Sequence, residues 1–95
     1  MPAYLIADIT VHDGDRFKDY VTAVPAYIEK HRGKYLVRGG NVEVKEGLWQ
    51  PKRVVVIEFP TKENALAFLE DPGYQPVAAI RQESATTNLV IVEGS

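Results

Sequence analysis

Ninety-five residues with 11 Lys and Arg, 13 Asp and Glu and no cysteine exclude disulfides, thiolate metal ligands and cysteine nucleophiles, and predict one domain over residues 1–95. The net charge of −2 and a pI near 5.6 leave no electrostatic footprint for nucleic acid or an anionic membrane. Met1-Pro2-Ala3-Tyr4 is not the start of a basic and then apolar leader, and no apolar run approaches a membrane span, so the expected location is the cytoplasm. A folded chain of this mass exposes about 5,500 Å² against about 15,400 Å² unfolded. The resulting core is modest, and it needs good internal fit or a partner chain.

Residues 4–11 are rich in β-formers and stop at His12-Asp13-Gly14, which predicts a first strand and a turn. Asp15 is the expected cap of the following helix, in which Phe17, Tyr20, Val21, Val24 and Ile28 form one apolar stripe and Gly33 marks the end. Pro25 lies inside this pattern and predicts a kink or two abutting helices near Val24. Residues 34–38 form a second strand stopped by Gly39-Gly40, and residues 53–59 a third stopped by Pro60. Between them, residues 41–52 are too long for a tight hairpin and read as an extended arm. Thr61 is the expected cap of a helix whose apolar side is Ala65, Leu66, Phe68 and Leu69; with Asn64 at the third position after it, the capping box is incomplete. Asp71-Pro72 breaks that helix and is expected to start another containing Val77, Ile80 and Arg81. Residues 89–92 form a fourth strand.

The order strand, helix, strand, strand, helix, strand predicts an α+β, ferredoxin-like βαββαβ protomer: a four-stranded antiparallel sheet with helices on one face. Strand alternation sorts Leu5, Ala7, Ile9, Tyr35, Val37, Val55, Ile57 and Phe59 to the helix-covered face. It sorts Tyr4, Ile6, Asp8, Leu36, Arg38, Val54, Val56 and Glu58 to the other face. An open face with that many large apolar residues predicts a second subunit covering it, hence a homodimer enclosing a barrel-like space.

The strings Gly33-Lys34-Tyr35-Leu36-Val37-Arg38-Gly39-Gly40, Glu46-Gly47 with Trp49 and Pro51, residues 54–60 and Val90-Ile91-Val92-Glu93-Gly94 occur in this order along the chain. Together they resemble the domain-of-unknown-function family numbered thirteen-thirty, of the dimeric α/β-barrel superfamily. The resemblance covers essentially the whole chain and implies a ferredoxin-like protomer and a homodimer. Superfamily relatives include cofactor-free monooxygenases and haem-degrading enzymes, so it implies a small molecule in the barrel cavity and no particular reaction. Asp71-Pro72-Gly73-Tyr74 stands where the family commonly has Ser-Pro-Glu-Tyr, which leaves Tyr74 as the shared side chain.

Asp8, Arg38 and Glu58, sorted to one face, are the candidate catalytic group: Arg38 to fork onto an anionic substrate and a carboxylate to move a proton. The alternative is an ion-pair network that only fixes sheet register or the dimer. Tyr4, Tyr20, Trp49 and Tyr74 are candidate ligand-binding residues, with Trp49 on the arm either a lid or an anchor in the partner. His12 and His31 lack metal-ligand spacing and His31 suits a helix C-terminus, so no metal is expected. Arg53 and Arg81 complete the notable charges, and Arg81 reads as a solvated charge that snorkels or reaches Glu83 or Glu93. No serine occupies a nucleophile motif. Two readings follow. One is a small-molecule-binding protein, an enzyme acting without a cofactor by acid-base chemistry on a small anionic organic substrate; the other is a non-enzymatic homodimer whose polar sheet residues only fix assembly. Neither involves nucleic acid or a membrane.

Overall fold

The computed structural model describes residues 1–95. It contains β1 (Ala3–Val11), α1 (Gly14–Lys30), β2 (Lys34–Arg38), β3 (Arg53–Phe59), α2 (Lys62–Glu70), α3 (Gln75–Ser84) and β4 (Ala85–Glu93). The strands form one antiparallel sheet in the order β2-β3-β1-β4, which with this connectivity is the ferredoxin-like arrangement. No helix is long and apolar enough to cross a membrane.

Cross-strand register builds the helix-covered face in rows. Tyr35, Ile57, Leu5 and Ile91 form one row, and Arg38, Val55, Ala7 and Leu89 the next. Arg53, Ile9 and Thr87 end the face. Ala3, Leu5, Ala7 and Ile9 of β1 and Val55, Ile57 and Phe59 of β3 are all buried, as period-2 alternation requires for a half-covered strand. Phe17, Val24 and Ile28 of α1 close over them. An aromatic stack of Phe59, Phe68 and Tyr74 joins the sheet to α2 and the α2–α3 turn, with ring centroids 5.7 Å and 4.4 Å apart along it.

Four local expectations differ from the structure. Asp13, not Asp15, caps α1, its carboxylate accepting from the Arg16 N–H at 3.1 Å; Asp15 lies in the first turn, where a negative charge suits the helix dipole. α1 is one continuous helix of 17 residues through Pro25, not two abutting ones, since proline removes a single donor while the buried stripe on both sides holds the helix to the sheet. α3 starts at Gln75, not at Pro72, because Asp71 closes α2 instead. Its backbone oxygen accepts from the N–H groups of Tyr74 and Gln75 at 3.0 and 3.2 Å, and this keeps Pro72-Gly73 in a turn. β4 begins at Ala85, four residues before the predicted start, since pairing with β1 holds the polar stretch Thr86-Thr87-Asn88 in the ladder.

The end of α1 has the 6→1 and 5→2 hydrogen bonds of a Schellman motif: Gly33 N–H to Ile28 C=O at 2.8 Å and Arg32 N–H to Glu29 C=O at 2.9 Å. Arg32 itself takes the left-handed position at φ 67°. Gly33 is needed for space instead, because a Cβ there would lie 2.7 Å from the Phe59 ring and 2.8 Å from Ile28. The chain exposes 6,088 Å², above the about 5,500 Å² expected of a folded monomer of this mass. On the arm, Leu48 is 99% exposed.

Candidate functional site

The site begins with an irregularity in β2. Tyr35 pairs with Ile57 of β3, but Val37 pairs with Val56 and Arg38 with Val55, so the ladder carries a bulge between Tyr35 and Val37. One extra residue reverses the alternation beyond it. Val37 therefore turns to the open face and Arg38 to the helix-covered face, the reverse of the assignment from strict alternation. Asp8 and Glu58 stay on the open face, opposite Val54 and Tyr4. The expected trio of Asp8, Arg38 and Glu58 is thus split across the sheet.

Arg38 lies at a cleft between α1, α3 and the sheet, with an internal volume of about 50 Å³. The lining is apolar except for Arg38, Arg53 and Arg81 and the hydroxyls of Tyr20, Tyr35 and Tyr74, and it includes no carboxylate. The Arg38 guanidinium stacks 3.7 Å above the Tyr35 ring centroid. Those of Arg53 and Arg81 lie 5.8 Å and 5.7 Å from the rings of Phe17 and Tyr20. These are cation–π distances. None of the three arginines forms an ion pair: the ion pairs of the chain involve Arg16, Lys18, Lys30, His31, Lys34 and Lys45. The Nε atoms of Arg53 and Arg81 are buried and have no hydrogen-bond partner.

Gly39, just beyond β2, holds this end of the cleft. Its φ is +69°, its N–H donates to Val54 C=O at 2.8 Å, and a Cβ would lie 2.5 Å from the Arg53 guanidinium. The positive φ favours glycine here, and a side chain would push the Arg53 guanidinium aside.

Tyr20 and Tyr74, both expected ligand residues, meet in the cleft through a 2.9 Å hydroxyl–hydroxyl hydrogen bond. Tyr74 is buried, packed on Phe68. Burial first, and then the neighbouring Tyr74 hydroxyl, pushes the Tyr20 phenol well above its usual range, against a smaller opposing pull from Arg81. Burial likewise raises the Tyr35 phenol, opposed by Arg38. Near neutral pH these hydroxyls are neutral donors and not bases.

The remaining expected residues, Asp8, Glu58, Trp49 and Tyr4, lie on the other side of the sheet, where Asp8 and Glu58 each have one partner within the chain. The Trp49 indole N–H donates to Asp8 Oδ2 at 2.8 Å, which lays the arm back over the open face. Glu58 faces Lys34 at 3.7 Å. Tyr4 stands between Glu58 and Val92 and touches Gly94. One atom stays unmatched there, the buried Oδ1 of Asp8.

Arg53 and Arg81 both belong to the cleft, and Arg81 is buried there, not on the surface as its reading from sequence expects. Their signal was present in the spacing: Arg53 shares the parity of buried Val55, Ile57 and Phe59, and Arg81 follows buried Val77 by one helical turn. His31 serves a different purpose. Its Nε2 lies 2.7 Å from Asp71 Oδ2, which also receives Lys30 Nζ at 2.8 Å, while Asp71 Oδ1 accepts from the Gly73 N–H at 2.8 Å. The hydrogen bonds from Lys30 and His31 hold the Asp71 carboxyl well below the usual carboxylate range. This latch ties the end of α1 to the α2–α3 turn and so positions Tyr74. No group of three His, Asp or Glu side chains is placed to hold a metal ion.

The family model described as Domain of unknown function (DUF1330) matches residues 2–95. The chain belongs to this family. Comparison with curated proteins gives no match. Among solved structures, the DUF1330 chain is similar to RPA0582, a protein of unknown function from Rhodopseudomonas palustris, at 15% identity and a TM-score of 0.77 over 99% of this chain and 82% of that one. It is similar to SnoaB, a cofactor-independent oxygenase from Streptomyces nogalater, at 15% identity and a TM-score of 0.68 over 99% and 93% of the two chains. A dimeric ferredoxin-like protein of unknown function from Jannaschia sp. CCS1 aligns at 11% identity and a TM-score of 0.68 over 99% and 100%. At these identities the likeness is one of fold.

Proposed function

We propose that this DUF1330 protein is a homodimer that binds a small organic anion with an apolar body in the cleft between α1, α3 and the sheet. The observation that carries the reading is the arginine set. Three guanidiniums line an apolar cleft with no carboxylate in its walls and no ion pair of their own. Arg81 is buried and Arg53 half-buried; a buried cation without a partner is costly, and an incoming anion relieves that cost. Apolar walls with a few convergent polar groups are the usual make-up of small-molecule sites.

Asp8 and Glu58 are on the opposite face of the sheet, so the polar groups offered to a molecule in the cleft are the guanidiniums and the tyrosine hydroxyls, the latter as neutral hydrogen-bond donors. The fold likeness to SnoaB, a cofactor-independent oxygenase, supports chemistry on a small molecule without a cofactor. The homodimer rests on the open face, where Leu36, Val37, Val90 and Val92 are between 40% and 54% exposed, and on the dimeric neighbour of the same fold. Here Asp8, Trp49, Glu58 and Lys34 fix the arm and the sheet for assembly and do no chemistry.

Calorimetric titration with benzoate and with its uncharged counterpart benzamide tests the cleft. Benzoate binds and benzamide does not, and Arg38→Ala and Arg53→Ala each weaken benzoate by about tenfold or more, as expected for charge-assisted hydrogen bonds. Equal binding of the two compounds, or benzoate affinity unchanged in both variants, refutes the reading.

A further inference from the structure

The three arginines are graded by depth. Arg38 is exposed, Arg53 is half-buried, and Arg81 is 8% exposed. They also divide by neighbour. Arg38 stacks on the Tyr35 ring and its neighbour Gly39 approaches the Arg53 guanidinium, whereas Arg81 lies over the Tyr20 ring. The outer pair and the inner arginine therefore form two positive positions in one cleft, whose apolar lining includes Phe17, Val24 and Val55.

The inner position is the better defined. Arg81 Nε is buried and has no partner. Beside it the Tyr20 and Tyr74 hydroxyls share one hydrogen bond, so of their two O–H protons one is unspent. A planar guanidinium donor and a free phenolic donor next to each other suit an anionic oxygen. A monoanion held at the outer position leaves the buried Arg81 unpaired among apolar walls, at a desolvation cost that a second anionic group removes.

We propose that the ligand is a dianion, an apolar body with an acidic oxygen group at each end. One group is held by Arg38 and Arg53 at the mouth, and the other by Arg81 with the Tyr20–Tyr74 hydroxyl pair inside. This rests on the cleft being the anion site proposed above, and it names the chemical class of the molecule that fills it.

The test compares benzoate with terephthalate, isophthalate and adipate by titration calorimetry on the full chain. At least one of the three dianions binds about tenfold or more tighter than benzoate. Arg81→Gln removes that gain, and Tyr20→Phe, which keeps the ring in place, reduces it severalfold. If Arg81→Gln does not fold, judged by its circular dichroism, Tyr20→Phe and Tyr74→Phe decide the matter. Benzoate binding that no dianion improves, or a gain that survives these variants, overturns the dianion proposal and leaves the cleft reading intact. Failure of benzoate and of all three dianions to bind removes both.

Discussion

The two faces of this sheet are made by the same strands, yet they treat charge in opposite ways. On the open face the carboxylates of Asp8 and Glu58 meet Trp49 and Lys34, partners supplied by the chain itself. On the helix-covered face Arg38, Arg53 and Arg81 rest against aromatic rings and have no carboxylate. Apart from the buried Oδ1 of Asp8, these carboxylate oxygens are matched within the chain and need no ligand to explain them. Buried donors without acceptors do, because each would regain on binding what it lost on burial. The comparison moves attention from the mixed face, where apolar and charged residues are interspersed, to the cleft, which in sequence looks like ordinary core.

Several variants test this contrast. The largest effect is expected from Phe59→Ala, which opens a hole under the fully buried ring that joins sheet to α2. Urea unfolding should show a loss of about 3–5 kcal/mol, and the loss should persist at protein concentrations low enough to favour monomers. Val90→Asp, on the open face, is expected instead to convert a dimer to a monomer in light scattering while keeping the helix-face core. A dimer that survives it would shift the interface elsewhere.

Asp71→Asn probes the latch behind Tyr74. Because the folded carboxyl is held low by Lys30 and His31, its stabilisation is complete above the ordinary carboxylate pKa of about 3.9. It is lost as the pH falls below that value towards the lowered one. Melting temperature should therefore drop with acidification below about pH 4 more steeply in the wild type than in Asp71→Asn, and the variant should be the less stable at pH 7. Parallel curves would show that the latch is not a net contributor. Benzoate binding, by contrast, should be flat between about pH 6 and pH 9, since arginine does not titrate there and Tyr20 is pushed up away from that range.

Smaller effects belong to single hydrogen bonds. Tyr20→Phe removes the bond to Tyr74, and chemical denaturation should register about 0.5–1.5 kcal/mol. Trp49→Phe should cost a similar or smaller amount, because the indole is 62% exposed. Glu58→Gln should change stability by no more than about 1 kcal/mol, as for other exposed pairs, and should leave benzoate affinity within about twofold. A large loss of binding in Glu58→Gln would reconnect the two faces and undo the distinction between them.

Much of this was legible in the chain. The alternation of Leu5, Ala7 and Ile9 and of Val55, Ile57 and Phe59, and the stripe of Phe17, Val24 and Ile28, specify strands and a helix whose apolar sides can only meet each other. The strings from Gly33 to Gly40 and from Val90 to Gly94 marked the family. Thr61 was legible as a cap, its Oγ1 accepting from the Asn64 N–H at 3.1 Å although Asn64 replaces the usual Glu. Less visible was the early start of β4, since Thr86-Thr87-Asn88 acquires strand structure from its neighbour β1 and not from its own pattern.

The cleft was hidden for a sharper reason. Arg53 and Arg81 stand at positions whose spacing already matched the buried residues, but a long cation is ordinarily assigned to solvent. Only the helices closing over the sheet show that these guanidiniums meet rings and apolar walls instead. The sequence by itself determined the element order, the helix-covered face of β1 and β3, and the excess of apolar residues on the other side. The position of Arg38 was decided by tertiary structure alone. A side-chain period of two makes every assignment conditional on an unbroken ladder, and one extra residue between Tyr35 and Val37 reverses it. The bulge exists only as a mismatch between β2 and β3, so no reading of β2 alone contains it.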